Sequence, residues 1–240
     1  MCVTKADREI SVETLNSYSY DCEMGAQAAE ILMEKFEEYT GIVLEGVDCG
    51  KIHLAQNADV EDNGYHLTVS EEGARIEASD LRGMVYGVEV FLKMITEGMV
   101  AMCEINDAPR MPFRGVHLML PHPSEFDFAK RLVKYVISPM GYNCIIMEVA
   151  GGMEFESHPE ICWRDRPLDR KTLKRLVKLG KEIGITLIPQ FNILGHAAGS
   201  RALTGKHAIL DYKPELQPLF EPEGWTWCLT NPATRQLLTD

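Results

Sequence analysis

Polar side chains follow apolar segments in the second half of the chain. "GITLIPQFNILGHAAG" passes from a strand-like run into Gln190, Asn192 and His196, and "NCIIMEVA" carries Glu148 near its end. Carboxylates, amides and imidazoles together supply the acceptors and donors that sugar hydroxyls require. Arg114, at the entrance of "RGVHLML", adds a rigid donor fork. We therefore predict a carbohydrate-binding site formed by Arg114, Glu148, Asn192 and His196.

Each of these residues also has a structural interpretation. Arg114 could pair with a carboxylate at a domain junction, and lone histidines are often surface groups. Glu148 is the more informative residue, because a charge within an apolar strand is costly unless it is paired or faces a cavity. The motifs H-E-x-x-H, P-loop and G-x-S-x-G do not occur in the sequence, so we predict neither a metal nor another cofactor.

The elements around these residues have the pattern of an α/β protein. The three apolar segments are continuous rather than alternating, which is typical of parallel strands covered on both faces. Two helical patterns separate them: "SEFDFAKRLVKYVISPMG", with Ser124 and Asp127 as a predicted capping box, and "LDRKTLKRLVKLGKEIG". This alternation predicts either a barrel or an open doubly wound sheet. In both, chemistry is concentrated at the carboxyl ends of the strands.

The first part of the chain has a different pattern. A helix ending at Gly41, a short strand, a β-hairpin around Gly73 and a helix from Asp80 to Gly98 predict a small α+β domain. The first 20 or so residues show no clear period, which predicts a loosely held segment. The proline-containing "NDAPRMPFRG" predicts a boundary, with domains at residues 1–106 and 107–240.

Composition excludes several classes of protein. The 240 residues carry a formal net charge of -12 without a dense basic block, which disfavours binding to nucleic acid or to anionic membranes. Neither a secretory signal nor a run long enough to span a membrane is visible. The seven scattered cysteines favour reduced thiols, so we predict a cytoplasmic protein. The sequence leaves the oligomeric state open.

Several segments resemble glycoside hydrolase family 20, the β-N-acetylhexosaminidases. "DAPRMPFRGVHLML", "GYNCIIMEV", "HPEI" and "IPQFNILGHAAG" resemble the opening of its catalytic barrel, and "CLTNPATRQLL" resembles the segment after the third strand. "YHLTVSEEGARIEASDLRGMVYGVEVFLKMI" is similar to the α+β domain that precedes that barrel. The resemblance implies an N-terminal α+β domain followed by the start of a (β/α)8 TIM barrel, truncated after about three βα units.

The resemblance also implies an activity. Family members remove terminal N-acetylhexosamine with retention, using the substrate's own acetamido oxygen as nucleophile. An Asp-Glu pair after the fourth strand orients that group and supplies the general acid. This chain contains no Asp-Glu dipeptide. We therefore expect the acid pair to lie beyond Asp240, and we expect the chain as given to show no turnover.

Only some of the site residues of the family have a match in this chain. Arg114 matches a family arginine that holds sugar hydroxyls, and His196 matches the histidine of its Gly-His pair. Elsewhere this chain departs from the family pattern. Met119 and His122 stand where an Asp and an Arg are usual, and Gly151-Gly152 stand where an Asp-Asp pair is usual. Gln190 and Asn192 stand where a Glu and an Asp are usual. Two alternatives stay open: a non-catalytic carbohydrate-binding or scaffold protein, and an unrelated parallel α/β enzyme such as a phosphosugar lyase or isomerase.

Overall fold

The structure, a computed structural model, describes residues 2–149, 151–162, 166–197 and 208–240. It divides into two compact units. The first comprises Met1–Arg114, Lys134–Asn143 and Gly180–Ile185, and the second comprises Gly115–Val133, Cys144–Leu179 and Thr186–Asp240. The first unit thus extends past the predicted boundary at residues 106/107 and includes two later segments. Among the helices formed by the described residues, none has the length and apolar composition needed to cross a membrane.

The first unit contains a seven-stranded sheet in the order β1-β7-β5-β6-β4-β2-β3. Its strands are β1 (Cys2–Ser11), β2 (Ser17–Tyr20), β3 (Glu45–Gly46), β4 (Ile52–Gln56), β5 (Tyr65–Ser70), β6 (Gly73–Ala78) and β7 (Met99–Asp107). The predicted hairpin is confirmed, because β5 and β6 pair antiparallel. The prediction of a loosely held N-terminal segment is wrong. An antiparallel backbone ladder with β7 holds β1 in the sheet, and such a ladder needs no hydrophobic period.

Two helices pack together in this unit: α1 (Glu23–Thr40) and α2 (Leu81–Lys93). The predicted end of α1 is confirmed at Gly41, whose φ of 73° suits glycine. The Asp80 side chain caps α2 by accepting from the Gly83 amide at 2.9 Å, as predicted. The predicted end at Gly98 is wrong: α2 ends at Lys93, and Gly98, with φ 76°, lies in the turn that leads into β7.

Tyr65, on the inner face of β5, makes the stability of this unit depend on pH. Burial, followed by the nearby negative charge of Asp107, raises the pKa of Tyr65 to about 12. Unfolded tyrosine titrates near about pH 10, so between about pH 10 and 12 the folded state binds more protons than the unfolded chain. The free energy of unfolding should therefore fall as the pH rises through this window.

Absorbance at 295 nm, recorded against pH, tests this expectation. Tyr65→Phe should remove one ionisation with a midpoint near 12, whereas the exposed-site control Tyr20→Phe should leave that ionisation in place. If the ionisation that Tyr65→Phe removes had its midpoint at about pH 10, the raised pKa of Tyr65 would be contradicted.

The second unit contains a three-stranded parallel sheet in the order β10-β9-β8. Its strands are β8 (Gly115–Met119), β9 (Cys144–Glu148) and β10 (Thr186–Gln190). The helices of the described second half are α3 (Phe126–Leu132, continuing into a π-helical turn at Val133–Ile137), α4 (Arg170–Glu182), α5 (Ala208–Tyr212) and α6 (Pro232–Thr239). The strand-helix alternation and the parallel pairing are confirmed. The whole chain is a mixed α/β protein.

The parallel sheet is covered on one face. Ile145 and Met147 are buried there, and Leu118, Met147 and Leu176 line a common cavity of about 410 Å³ beside α3 and α4. On the opposite face Ile188 is 40% exposed and the His117 side chain 49% exposed. The expectation of cover on both faces is therefore not met by the described residues, and this second face is open.

The start of α3 also differs from the predicted capping box at Ser124 and Asp127. His122 is the capping residue: its Nδ1 accepts from the Ser124 amide at 3.3 Å, and Glu125 Oε2 accepts from the His122 amide at 3.3 Å. These bonds close a short 3₁₀ turn, Pro123–Glu125, ahead of the helix. Pro123 fixes its own φ at a helical value, which moves the start of the turn before Ser124.

Candidate functional site

Glu148 is the last residue of β9 and the centre of a polar cluster. Its carboxylate accepts from Asn192 Nδ2 at 2.7 Å through Oε1, and His117 Nε2 lies 3.3 Å from Oε2. The Glu148 side chain is only 11% exposed, so these partners offset the cost of burying a charge. Glu148 and its two partners come from three different segments, which the parallel register brings to one edge of the sheet.

Gln190 extends the cluster along the sheet. Its Nε2 donates to Asn192 Oδ1 at 2.8 Å, and this bond orients the Asn192 amide so that its nitrogen faces Glu148. Gln190 also pairs in register with Glu148 across β9 and β10. A largely buried carboxylate and two oriented amides offer both acceptors and donors to a ligand hydroxyl. The structure thus brings together two of the predicted site residues, Glu148 and Asn192.

His117 belongs to this polar cluster and was not predicted from the sequence. It lies on β8 and faces the same side of the sheet as Glu148, because successive side chains on a strand alternate between faces. The sequence contained a signal for it. "RGVHLML" has one histidine within an apolar run, just as "NCIIMEV" has one glutamate within an apolar run. A histidine and a glutamate on neighbouring parallel strands can contact each other when the strand register places them on the same face.

The loop after β10 is held by a segment some 30 residues further along the chain. Trp227 Nε1 donates to the Asn192 carbonyl at 3.1 Å, and the Trp227 amide donates to the Ile193 carbonyl at 3.3 Å. Trp227 is itself buried and stacks on Phe220 with ring centroids 4.2 Å apart. It therefore acts as a buried anchor that fixes the backbone of Asn192. Trp227, like His117, was not predicted from the sequence.

His196 stands at the outer end of the same loop. Its backbone is left-handed, with φ 55°, and its exposed ring lies 4.2 Å from the ring of Trp225. The Ala197 amide, next in the chain, donates to the Trp225 carbonyl at 3.0 Å. His196 therefore belongs to the loop that carries Asn192, but its ring contact is with Trp225 rather than with Glu148.

Arg114 makes its side-chain hydrogen bonds within the first unit. Its Nε donates to the Gly141 carbonyl at 2.7 Å, and Nη1 donates to the Met111 carbonyl at 2.5 Å. Nη2 donates to the Tyr86 hydroxyl at 2.6 Å. Arg114 also precedes the amino end of β8, whereas the other predicted site residues stand at or beyond the carboxyl ends of strands. These contacts hold the guanidinium within the first unit, and the sugar contact of Arg114 stays a prediction.

Gly151 and Gly152 close a turn directly after β9. The Gly152 amide donates to the Val149 carbonyl at 2.7 Å, and Gly151 has φ 67°. They add no polar side chain to the cluster. Within the described ranges, no group of three or more His, Cys, Asp or Glu side chains is arranged to hold a metal ion. The site can therefore bind and orient hydroxyl groups through Glu148, Asn192 and Gln190.

Fold and site together define a mixed α/β protein with a polar cluster at the carboxyl edge of a parallel sheet. Comparison with known proteins refines this class. Residues 3–108 match the sequence model of glycosyl hydrolase family 20, domain 2. A β-hexosaminidase subunit A2 from Dictyostelium discoideum is 27% identical over 154 residues, which is 57% of this chain and 28% of that protein. The chain is β-N-acetylhexosaminidase-like, and the resemblance predicted from its motifs is confirmed.

Solved structures agree with this relationship. A family 20 exo-β-N-acetylglucosaminidase from Vibrio harveyi, in complex with N-acetylglucosamine, superposes with a TM-score of 0.80 at 18% identity, over 99% of this chain and 42% of that one. A family 20 β-N-acetylhexosaminidase from Streptomyces coelicolor A3(2) gives 0.79 at 17% identity, over 100% and 54%. At this identity the likeness establishes the fold alone. The chain spans about half or less of the length of these proteins.

Proposed function

We propose that this chain is the α+β domain and the first part of the catalytic TIM barrel of a β-N-acetylhexosaminidase-like glycoside hydrolase. The three parallel strands would be the first three of eight. The open face of the sheet supports this, since parallel strands are normally covered on both faces and barrel strands direct one face toward the interior. Residues 1–106 and 107–240 would be the two domains.

The proposed reaction belongs to the intact protein. The acetamido oxygen of the substrate attacks the anomeric carbon while the glycosidic C–O bond breaks and the leaving oxygen takes a proton from a general acid. Water then opens the cyclic intermediate with retention of configuration. The acid pair would come from sequence outside these 240 residues, because no Asp-Glu dipeptide occurs within them. The part of the reaction assigned to this chain is to hold the sugar.

One observation carries this assignment: the Asn192 amide and the Glu148 carboxylate meet at 2.7 Å across two strand ends. In our proposal Glu148 accepts from a sugar hydroxyl, Asn192 and Gln190 orient it, and His117 pairs with the second carboxylate oxygen. His196 contacts the ligand from the loop. The proposed ligand is an N-acetylhexosaminide, and we propose neither a metal nor another cofactor.

Calorimetric titration with N-acetylglucosamine tests the proposal. Glu148→Gln keeps the shape of the side chain but removes its charge, and hydrogen bonds to charged groups contribute about 1.5–3 kcal/mol. We therefore expect the Kd to rise by roughly 10- to 100-fold. The exposed-site control Glu156→Gln should bind as the unchanged chain does. Equal affinity in the Glu148→Gln variant, or no binding by the unchanged chain, would refute the assignment.

A second candidate function is carbohydrate binding without catalysis. The glycine turn at Gly151-Gly152 favours it, because the related enzymes usually place two carboxylates there. A version of the protein extended past Asp240, assayed with a chromogenic N-acetylglucosaminide, separates the two candidates. Binding with turnover supports the hydrolase, and binding without turnover supports the binding protein. We also propose a cytoplasmic location, on the scattered spacing of the seven cysteines in the sequence.

A further inference from the structure

Asn63-Gly64 is the one Asn-Gly pair in the sequence. Asparagine is most prone to deamidation when glycine follows it, because glycine has no side chain to shield its backbone nitrogen from the neighbouring carboxamide carbon. The pair lies in the turn that leads from β4 into β5. It is therefore the position of this chain at which deamidation is chemically most favoured.

The fold requires both residues of the pair. Asn63 has a left-handed backbone, with φ 58°, which asparagine adopts more readily than most residues that carry a side chain. A Cβ added to Gly64 would lie 2.9 Å from the Glu61 carbonyl oxygen and 3.1 Å from the Asp107 carbonyl oxygen. A larger residue does not fit there unless the backbone moves, so the turn retains a reactive pair for conformational reasons.

The Asn63 carboxamide lies beside the carboxylate that caps α2. The Asn63 amide donates to Asp80 Oδ2 at 2.6 Å, and Asn63 Nδ2 lies 3.5 Å from the same oxygen. Asp80 Oδ1 accepts from the Gly83 amide at 2.9 Å, which is the cap of the helix. Asn63 Oδ1 is buried, and none of the residues that the structure describes donates a hydrogen bond to it. The oxygen is therefore a costly group to bury.

We propose that Asn63 is a deamidation site that the folded chain protects and that uncaps α2 once it has reacted. The Gly64 backbone nitrogen attacks Asn63 Cγ, and the new C–N bond closes a succinimide ring. Nδ2 leaves as ammonia and takes with it the proton that the Gly64 nitrogen loses. Water then opens the ring to aspartate or isoaspartate, so the chain is its own substrate and water is the co-reactant.

Two features protect the pair in the folded state. The Gly64 amide donates to the Glu61 carbonyl at 2.7 Å, and this bond must break before the nitrogen can attack. The negative charge that develops on Asn63 Oδ1 during the attack would meet no donor from the described residues, and such donors are what lower the barrier of this kind of step. The reaction therefore requires a local opening of the turn.

The product places a second carboxylate beside Asp80. One of its oxygens would replace Asn63 Nδ2, which lies 3.5 Å from Asp80 Oδ2. Like charges at this distance repel, and burial reduces the screening by solvent. The repulsion separates the two residues and weakens the cap of α2 that Asp80 provides. Isoaspartate also adds one atom to the backbone and displaces Gly64. Each chain that reacts therefore has a less stable first unit, and the loss of ammonia makes the change permanent.

Peptide mass spectrometry tests the protection, on the 240-residue chain incubated in mildly alkaline buffer with and without urea. We expect Asn63 to deamidate at least about tenfold faster in urea, because the denaturant removes the cost of opening the turn. Asn57, which precedes an alanine in the same loop, is the internal control and should react slowly in both samples. Equal rates at Asn63 in the two samples would overturn the protection, and no reaction in urea would overturn the site.

Urea denaturation of Asn63→Asp tests the effect on α2. This variant carries the aspartate product, so its midpoint should fall. Asn57→Asp is the matched control and should keep the midpoint, because aspartate still accepts from the Asp59 amide. Adding Asp80→Asn to Asn63→Asp removes one of the two charges and keeps a good capping residue, so the double variant should recover most of the loss.

The variants also define what would contradict the uncapping. A midpoint of Asn63→Asp equal to that of the unchanged chain would overturn it. If the double variant were no more stable than Asn63→Asp, or if neither of them folded, repulsion between the two carboxylates would not be the cause. Folding of the double variant alone would support the proposal.

Discussion

Replacing Lys35 with methionine is expected to lower the free energy of unfolding by about 3–5 kcal/mol, because Glu89 would be left buried without a charged partner. Lys35 lies on α1 and Glu89 on α2, and their side chains are 0% and 4% exposed. Lys35 Nζ donates to Glu89 Oε1 and also to the Lys134 carbonyl, the latter at 3.1 Å. The ammonium therefore joins three segments of the first unit.

Burial acts on both members of this pair in the direction of neutrality. It lowers the pKa of Lys35 and raises that of Glu89, and the attraction between the two charges opposes both shifts. The ion pair is thus costly to form but more costly to break, since removing one member leaves the desolvation of the other uncompensated.

Urea denaturation of a mutant set tests this explanation. The double variant Lys35→Met with Glu89→Leu should recover most of the lost stability, because it removes both charges and fills the space with apolar groups. Arg8→Ala, which breaks the exposed Arg8–Glu71 pair, should cost no more than about 1 kcal/mol. A loss below about 1 kcal/mol for Lys35→Met alone would show that Glu89 finds another partner or protonates without cost.

The ion pair illustrates what the sequence could and could not predict about the fold. The helical period of "CEMGAQAAEILMEKFEEYTG" places Lys35 on the inner face of α1, beside Phe36. It does not identify Glu89, because a partner 54 residues away depends on how α1 packs against α2. Strand β1 was missed for a related reason, since its place at the sheet edge is set by backbone pairing with β7 rather than by side chains.

The candidate site likewise has features that the sequence predicts and features that depend on how the strands pair. Glu148 and Asn192 were predictable because polar residues at the ends of apolar strand segments can be recognised in the sequence itself. Their contact with each other, and that with His117, follow from the strand register, which the sequence alone leaves open. Arg114 was placed in the site from its residue type and from the family resemblance. Its position at the entrance of a strand was evidence against that role, because sites on parallel sheets form at the carboxyl ends.

Replacing Trp227 with alanine is expected to cost about 3–5 kcal/mol of stability, the usual range for removing a buried tryptophan. Its ring is 2% exposed and stacks on Phe220 at 4.2 Å and near Phe191 at 6.2 Å, so truncation opens a cavity in that cluster. The change also removes the Nε1 donor to the Asn192 carbonyl at 3.1 Å. Sugar binding should therefore weaken together with stability.

Trp227→Phe separates these two effects. Phenylalanine retains most of the stacking but lacks the N–H donor, so we expect a loss of stability of about 1–3 kcal/mol with a distinct weakening of N-acetylglucosamine binding. Urea denaturation and calorimetry on the same samples measure both quantities. Trp225→Ala, two residues away and exposed, is the matched control and should change stability by no more than about 0.5 kcal/mol. If Trp227→Phe lost stability but bound the monosaccharide normally, the indole would serve packing alone, and the backbone of Asn192 would be held in place by its bonds within the β10 loop.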